Sequence, residues 1–92
     1  MQRFSSPFGA VMFTEERKAH ILAFHPDVSR YLKHFASVLA EPEVITRSVS
    51  DQTVVICYGL LPRSRKYLAV VLKTGRNPFV LTAYVAKKPK SL

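Results

Sequence analysis

The spacing of hydrophobic residues changes at Pro42, and this change constrains the fold more than any other feature of the sequence. Between Val28 and Leu39, apolar side chains recur at i, i+3, i+4 and i+7, which is the pattern of an amphipathic helix. After Pro42 the period shortens to two residues, which is typical of β-strands. Helices followed by strands predict an α+β fold in which the helices cover one face of a sheet.

Capping and turn residues set the predicted boundaries of these elements. Thr14 is a suitable N-cap and two glutamates follow it, so a first helix is predicted over residues 15–24. The residue before a proline avoids the helical region, so His25-Pro26 ends this helix and a second one is predicted over residues 26–41. Four strands with connections short enough for antiparallel pairing are predicted over residues 43–49, 53–58, 66–73 and 79–85.

The 92 residues predict one domain. Residues 1–12 carry Ser, Pro and Gly between apolar positions, which predicts a loosely docked arm or a short edge strand. The main domain is predicted over residues 13–88, and a short basic tail over residues 89–92. In the last two strands, alternation predicts that the helices are contacted by Leu68, Val70, Leu72, Phe79, Leu81, Ala83 and Val85.

The chain is strongly basic, with 14 Lys and Arg against 6 Asp and Glu and an isoelectric point near 10.1. Such a surface attracts polyanions, so nucleic acid is the first partner class to consider, followed by an acidic protein or a membrane surface. The alternative is that the excess charge only keeps the protein soluble. Charge therefore suggests a partner class but does not separate binding from cleavage.

The single cysteine, Cys57, excludes an internal disulfide and lies in an apolar run that predicts a buried, inert thiol. The first residues lack the apolar stretch of a signal peptide, and no segment approaches the roughly 18–20 apolar residues that span a bilayer. These features predict a cytoplasmic protein that does not insert into a membrane.

Four residues of the last two strands are predicted to project from the face opposite the helices: Tyr67, Lys73, Thr82 and Tyr84. Aromatic rings stack on bases and ammonium groups neutralise phosphates, so this face has the residues of an RNA platform. The alternative is an ordinary exposed face, because Tyr and Thr are good strand formers.

Two histidines flank the end of the first predicted helix. Cleavage of RNA by its own 2′-hydroxyl needs a base, an acid and a cation, and imidazole suits either proton role. Arg17 lies one turn before His20 and can offer a guanidinium to the same phosphate. The alternatives are a solvated His20 and a capping His25.

The sequence predicts neither a metal nor a nucleotide cofactor. The three histidines and one cysteine lack the spacing of zinc ligands. No pair of acidic residues indicates a two-metal nuclease, and no glycine-rich phosphate-binding loop occurs.

Four segments resemble, in order, the motifs of a phage-associated nuclease family that is named for its similarity to barnase, EndoU, colicin nuclease domains and RelE. The first is FTEERKAHILAFHPD at residues 13–27, and the others are AEPEV at 40–44, YLAVVLK at 67–73 and FVLTAY at 79–84. The resemblance implies two N-terminal helices packed on a curved, four-stranded antiparallel sheet. It also implies metal-independent endoribonuclease activity of the kind found in toxins, phage proteins and mobile elements.

The resemblance implies six candidate site residues: Arg17, His20, His25, Lys73, Thr82 and Tyr84. In the leading hypothesis either histidine is the base or the acid, Lys73 and Arg17 stabilise the phosphorane, and Thr82 and Tyr84 orient the phosphate or complete the proton relay. Further substrate contacts are predicted for Tyr67, Arg63, Arg65 and Lys66. Two other hypotheses remain: an RNA-binding module without catalysis, and an interaction domain whose basic loop meets an acidic antitoxin or the ribosome.

Overall fold

A computed structural model describes residues 1–90, which form a six-stranded mixed sheet with helices on one face. The elements, in chain order, are β1 Gln2–Ser6, β2 Gly9–Phe13, α1 Glu15–Phe24, a 3-10 segment Pro26–His34, α2 Phe35–Ala40, β3 Val44–Arg47, β4 Val54–Leu60, β5 Tyr67–Lys73 and β6 Phe79–Ala86. The strand order is β1-β2-β6-β5-β4-β3. The α+β class is confirmed, whereas the prediction of four purely antiparallel strands is wrong.

The two additional strands are formed by residues 2–13, so the N-terminal residues are not a loose arm, and β1 is an edge strand, as the alternative prediction held. β1 and β2 form an antiparallel hairpin that closes between Ser6 and Gly9. Gly9 has a φ of 99°, a left-handed conformation that glycine adopts without steric cost. Val11 and Phe13 alternate inward along β2 and are buried in the core. The hairpin is therefore part of the main sheet.

The hairpin joins the rest of the sheet through one short parallel contact. Met12 of β2 pairs with Phe79 at the start of β6, and the Met12 amide donates to the Pro78 carbonyl at 3.0 Å. On one side β6 pairs with β5 along its length. On the other side, within residues 1–90, it has no strand partner beyond the contact of Phe79 with β2. α1 packs beside β6.

The first helix matches its predicted bounds, and its N-cap is Thr14, whose hydroxyl accepts a hydrogen bond from the Arg17 amide at 3.2 Å. The second predicted helix is wrong in type over most of its length, because residues 26–34 adopt the tighter 3-10 conformation and only Phe35–Ala40 is α-helical. Apolar spacing of i, i+3 identifies the buried side but fits both helix types. No helix within residues 1–90 has the length and apolar content required to cross a membrane.

The four predicted strands are confirmed as β3 to β6, with β5 and β6 at the centre of the sheet. The predicted side-chain directions fail in the first half of β6. There the register shifts, because Val71 pairs with Thr82 while Leu72 pairs with Val80, and Leu81 is left unpaired. This irregularity turns Val80 into the core, where it is fully buried, instead of Phe79 and Leu81.

The core lies between the helices and one face of the sheet. Its members from β4 and β5 include Val55, Cys57, Leu68, Val70 and Leu72, as alternation predicts. Cys57 is fully buried, and this burial raises the pKa of its thiol to about 11. The interpretation of Cys57 as a buried structural thiol is thereby confirmed.

The place of the hairpin in the core can be tested with two phenylalanines of opposite exposure. Phe13 is 3% exposed and stacks on Phe35 with ring centroids 5.1 Å apart, whereas Phe24 is 70% exposed. Phe13→Ala should lower the free energy of unfolding by about 3–5 kcal/mol. Phe24→Ala should change it by less than about 0.5 kcal/mol in the same urea titration. Equal effects would show that the hairpin is not part of the cooperative core.

Candidate active site and basic groove

The face of the sheet that points away from the helices, called the outer face here, carries the polar candidates of β5 and β6. Tyr58 of β4 pairs with Ala69 of β5, and Ala69 pairs with Tyr84 of β6. The two tyrosines therefore lie on either side of a methyl side chain, which leaves room for their phenols to approach each other. Thr82 follows on the same face, as predicted, opposite Val71.

Tyr84 has the most perturbed hydroxyl on this face. Burial, and secondarily the neighbouring Tyr58 hydroxyl, raise the pKa of Tyr84 to about 12. Tyr58 is itself fully buried, although it lies on the outer face. At neutral pH the Tyr84 phenol is protonated, so it acts as a hydrogen-bond or proton donor and not as a base.

His25 lies at the junction where α1 ends, and its backbone is fixed on both sides. Its amide donates to the Ile21 carbonyl at 2.7 Å, and its carbonyl accepts from the Val28 amide at 3.0 Å. Pro26 keeps it out of the helical region, with φ −132° and ψ 70°. His25 is thus a backbone cap, as the alternative interpretation held, but its imidazole makes no capping hydrogen bond to the 3-10 segment.

The imidazole of His25 faces the phenol ring of Tyr84. The two ring centroids are 6.2 Å apart and the rings are tilted by 42°. An imidazole, a common proton acceptor in catalysis, therefore lies beside a phenol that holds its proton, at the edge of the outer face. Such a pair can take a proton from a hydroxyl that attacks a bound phosphodiester and give one to the oxygen that leaves.

Lys73 does not join this pair. It lies four residues along β5 from Ala69, a separation of about 13 Å, and its ammonium binds the Asp51 carboxylate at 2.9 Å. Hydrogen bonds from the Thr53 side chain and then from Lys73 lower the pKa of Asp51 to about 2. The predicted role of Lys73 at the phosphate therefore lacks geometric support.

The other two helical candidates also lie away from the pair. His20 is exposed and packs on Phe24, with ring centroids 4.7 Å apart. Arg17 precedes His25 by eight residues, about 12 Å along the helix axis, and lines a separate pocket with Met12 and Phe79. Of the five predicted catalytic residues, the structure brings only His25 and Tyr84 into one pair.

A second feature, the basic groove, begins next to Tyr84. The groove has a volume of about 620 Å³ and is lined by Leu60, Leu61, Pro62, Arg63, Arg65, Tyr67, Lys87 and Lys88. Tyr67 is the diagonal neighbour of Tyr84 across β5 and β6, about 7–8 Å away. Lys66, also predicted as a substrate contact, is not part of the lining, and its amide instead donates to the Ser64 hydroxyl.

The turn that presents the groove arginines is held in an unfavourable backbone conformation. Arg63 and Arg65 have φ angles of 64° and 58°, in the left-handed region that L residues avoid. The turn is closed by a hydrogen bond of 2.8 Å from the Leu61 amide to the Lys66 carbonyl. Arginine has no conformational advantage at such positions, so each of the two residues carries a backbone cost.

The segment after β6 turns back over the outer face. The amide of Lys90 donates to the Tyr58 hydroxyl at 3.4 Å. Only part of the predicted basic tail, residues 89–92, can be described, because residues 91 and 92 lie outside the described part of the chain.

Three residues of this region that carry a hydroxyl or a charge were not among the predicted site residues: Tyr58, Lys87 and Lys88. Alternation along β4 places Tyr58 on the same face as Ile56, so the sequence carried a usable signal for it. Lys87 and Lys88 line the groove because the chain bends after Ala86. No pattern in the sequence predicts this bend.

No family model, no curated protein and no solved structure matches this chain. The resemblance to the phage-associated nuclease family stays a prediction. Within residues 1–90, no three His, Cys, Asp or Glu side chains come together as a metal site requires.

Titration of the tyrosines should identify Tyr84 directly. In ultraviolet absorbance, one of the four tyrosines should ionise near pH 12, and Tyr84→Phe should remove that step whereas Tyr31→Phe should retain it. The folded state holds this proton above the ordinary value of 10, so stability should fall as pH rises from about 10 to about 12. An unchanged titration curve in Tyr84→Phe would contradict the assignment.

The pKa of the Asp51 carboxyl tests separately whether Lys73 is held in an ion pair. Lys73→Gln should raise the pKa of Asp51 from about 2 but leave it below 3.8, because the Thr53 hydroxyl and amide still donate to the carboxylate. Thr53→Val should also raise it, because it removes the hydroxyl donor. Carboxyl carbon chemical shifts followed over pH measure both changes, and an unchanged pKa of Asp51 in Lys73→Gln would contradict the ion pair.

Proposed function

We propose that this protein is a metal-independent endoribonuclease of the toxin or mobile-element type, with His25 and Tyr84 as its catalytic pair. The observation that carries the proposal is the distance of 6.2 Å between the imidazole and phenol rings at the edge of the outer face. An acceptor and a donor of protons at this separation can act on the same phosphodiester.

The reaction that suits this pair is attack by the RNA's own 2′-hydroxyl. His25 takes the proton from that hydroxyl, and the 2′-oxygen forms a bond to phosphorus. The bond from phosphorus to the 5′-oxygen breaks, and Tyr84 gives its proton to the leaving oxygen. A phenol whose pKa is near 12 is still much more acidic than the alcohol that leaves, so Tyr84 is a competent donor. The products are a 2′,3′-cyclic phosphate and a 5′-hydroxyl.

Electrostatics support RNA as the substrate. The net charge of +8 raises the local concentration of polyanions, and the basic groove begins one diagonal position from Tyr84. Because RNA is the substrate, we also propose that the protein acts in the cytoplasm.

A second candidate function is RNA binding without cleavage, and two observations favour it. Lys73 is held by Asp51, and the segment around Lys90 covers Tyr58 beside Tyr84. A nuclease fold with its phosphate-stabilising cation engaged elsewhere would still bind RNA through the basic groove.

Rates of cleavage of a defined RNA by the purified protein distinguish the two functions. His25→Ala and Tyr84→Phe should each slow cleavage by about 10²- to 10⁴-fold, because each removes one proton transfer. His34→Ala and Tyr31→Phe are the matched controls, since they remove the same groups from the 3-10 segment, and they should cleave like the wild type. EDTA should not change any of these rates.

The product ends give an independent check, since the proposed reaction yields only cyclic phosphate and 5′-hydroxyl termini. A protein that binds RNA but leaves it intact over long incubation would establish the second candidate. Cleavage that persists in a His25→Ala/Tyr84→Phe double variant would contradict the proposed catalytic pair.

A further inference from the structure

The basic groove concentrates positive charge without compensating acids. Its lining contains four cations and no Asp or Glu. Glu43 accepts a hydrogen bond from the Leu60 amide and lines a different pocket. Among residues 1–90 the only ion pair joins Lys73 to Asp51, so Arg63, Arg65, Lys87 and Lys88 are all unpaired.

Four unpaired cations around one groove repel one another, and this repulsion is relieved when an anion binds between them. The groove also exposes one aromatic ring, Tyr67, which is half-buried at its base. Its volume of about 620 Å³ lies within the range of about 300–1,000 Å³ that is typical of ligand clefts. Anionic groups flanking a flat ring are therefore the ligand that this lining fits.

We propose that the basic groove binds single-stranded RNA next to the cleavage point, with one base stacked on Tyr67 and the flanking phosphates on the four cations. This inference rests on the proposed function and extends it by naming the substrate class as a single strand longer than a dinucleotide. Tyr67 is the diagonal neighbour of Tyr84 on the outer face, so a strand in the groove continues directly toward the catalytic pair.

The lining favours a single strand over a duplex and over an acidic protein. In an RNA duplex the bases are stacked on each other and cannot reach an aromatic side chain, whereas a single strand offers both phosphates and free base faces. An acidic peptide would satisfy the cations but would leave the Tyr67 ring without a stacking partner.

The test measures binding of an oligonucleotide of about eight nucleotides in which every ribose is 2′-O-methylated. This probe has no free 2′-hydroxyl, so it can be bound but not cleaved by the proposed reaction, and binding is measured separately from cleavage. Arg63→Asn/Arg65→Asn removes two charges while placing a non-glycine residue that tolerates left-handed backbone at both positions, so thermal stability should not fall. Lys87→Gln/Lys88→Gln removes the other two charges of the lining.

Each double variant should weaken binding about tenfold or more and should lower the slope of log affinity against log salt by about 1.4, for two phosphates of a single strand. Tyr67→Leu should weaken binding about 5- to 100-fold without changing that slope, because it removes stacking but no charge. Arg30→Gln/Lys33→Gln, which removes two exposed charges from the 3-10 segment, is the matched control and should retain the wild-type slope.

Three outcomes overturn the inference. A control variant that loses as much affinity and slope as the groove variants would show that only net charge matters. Equal binding of an RNA duplex would remove the single-strand assignment. An acidic peptide that competes as well as the oligonucleotide, with no effect of Tyr67→Leu, would make the groove a protein-binding site. None of these results depends on whether RNA is cleaved, so the proposed function is tested separately.

Discussion

The candidate site depends on how the N-terminal hairpin meets the rest of the sheet. β2 pairs with β6 only at Met12 and Phe79, so the remaining edge of β6 is free of strand neighbours within residues 1–90. α1 packs against β6 and ends at His25, where Pro26 prevents the helix from continuing. His25 meets Tyr84 five positions beyond Phe79, in the part of β6 that β2 leaves unpaired. The catalytic proposal therefore concerns the part of β6 beyond this short strand contact.

The chemistry of Tyr84 depends on what lies on the other side of Ala69. The methyl group of Ala69 is the smallest side chain, apart from that of glycine, that a strand offers, and it lets the buried Tyr58 stand beside Tyr84. Burial and the Tyr58 hydroxyl then keep the Tyr84 proton in place at neutral pH. The charges that would attract RNA lie next to this pair in the basic groove. The proposed function thus places proton transfer and phosphate binding on adjacent parts of one face.

Much of this arrangement could be predicted from sequence because it is local. Thr14 and the two glutamates define the start of α1, and alternation places Thr82 and Tyr84 opposite the core. The unpredicted features depend on distant partners. The hairpin of residues 2–13 gains its stability from burying Val11 and Phe13, and the irregularity at Leu81 is fixed by pairing with β5. Lys73 likewise looks free in sequence, and only the fold brings Asp51 to within 2.9 Å of it.

The central claim is that His25 and Tyr84 act on one phosphodiester. The most direct measurement is a structure of the protein with a dinucleotide whose 2′-hydroxyl is replaced by hydrogen, so that it binds without reacting. The account predicts that its phosphate oxygens lie within hydrogen-bond distance, about 2.6–3.2 Å, of the Tyr84 hydroxyl and that the 2′-carbon faces the His25 imidazole. A phosphate bound beside Lys73 or Arg17, with His25 and Tyr84 untouched, would contradict it.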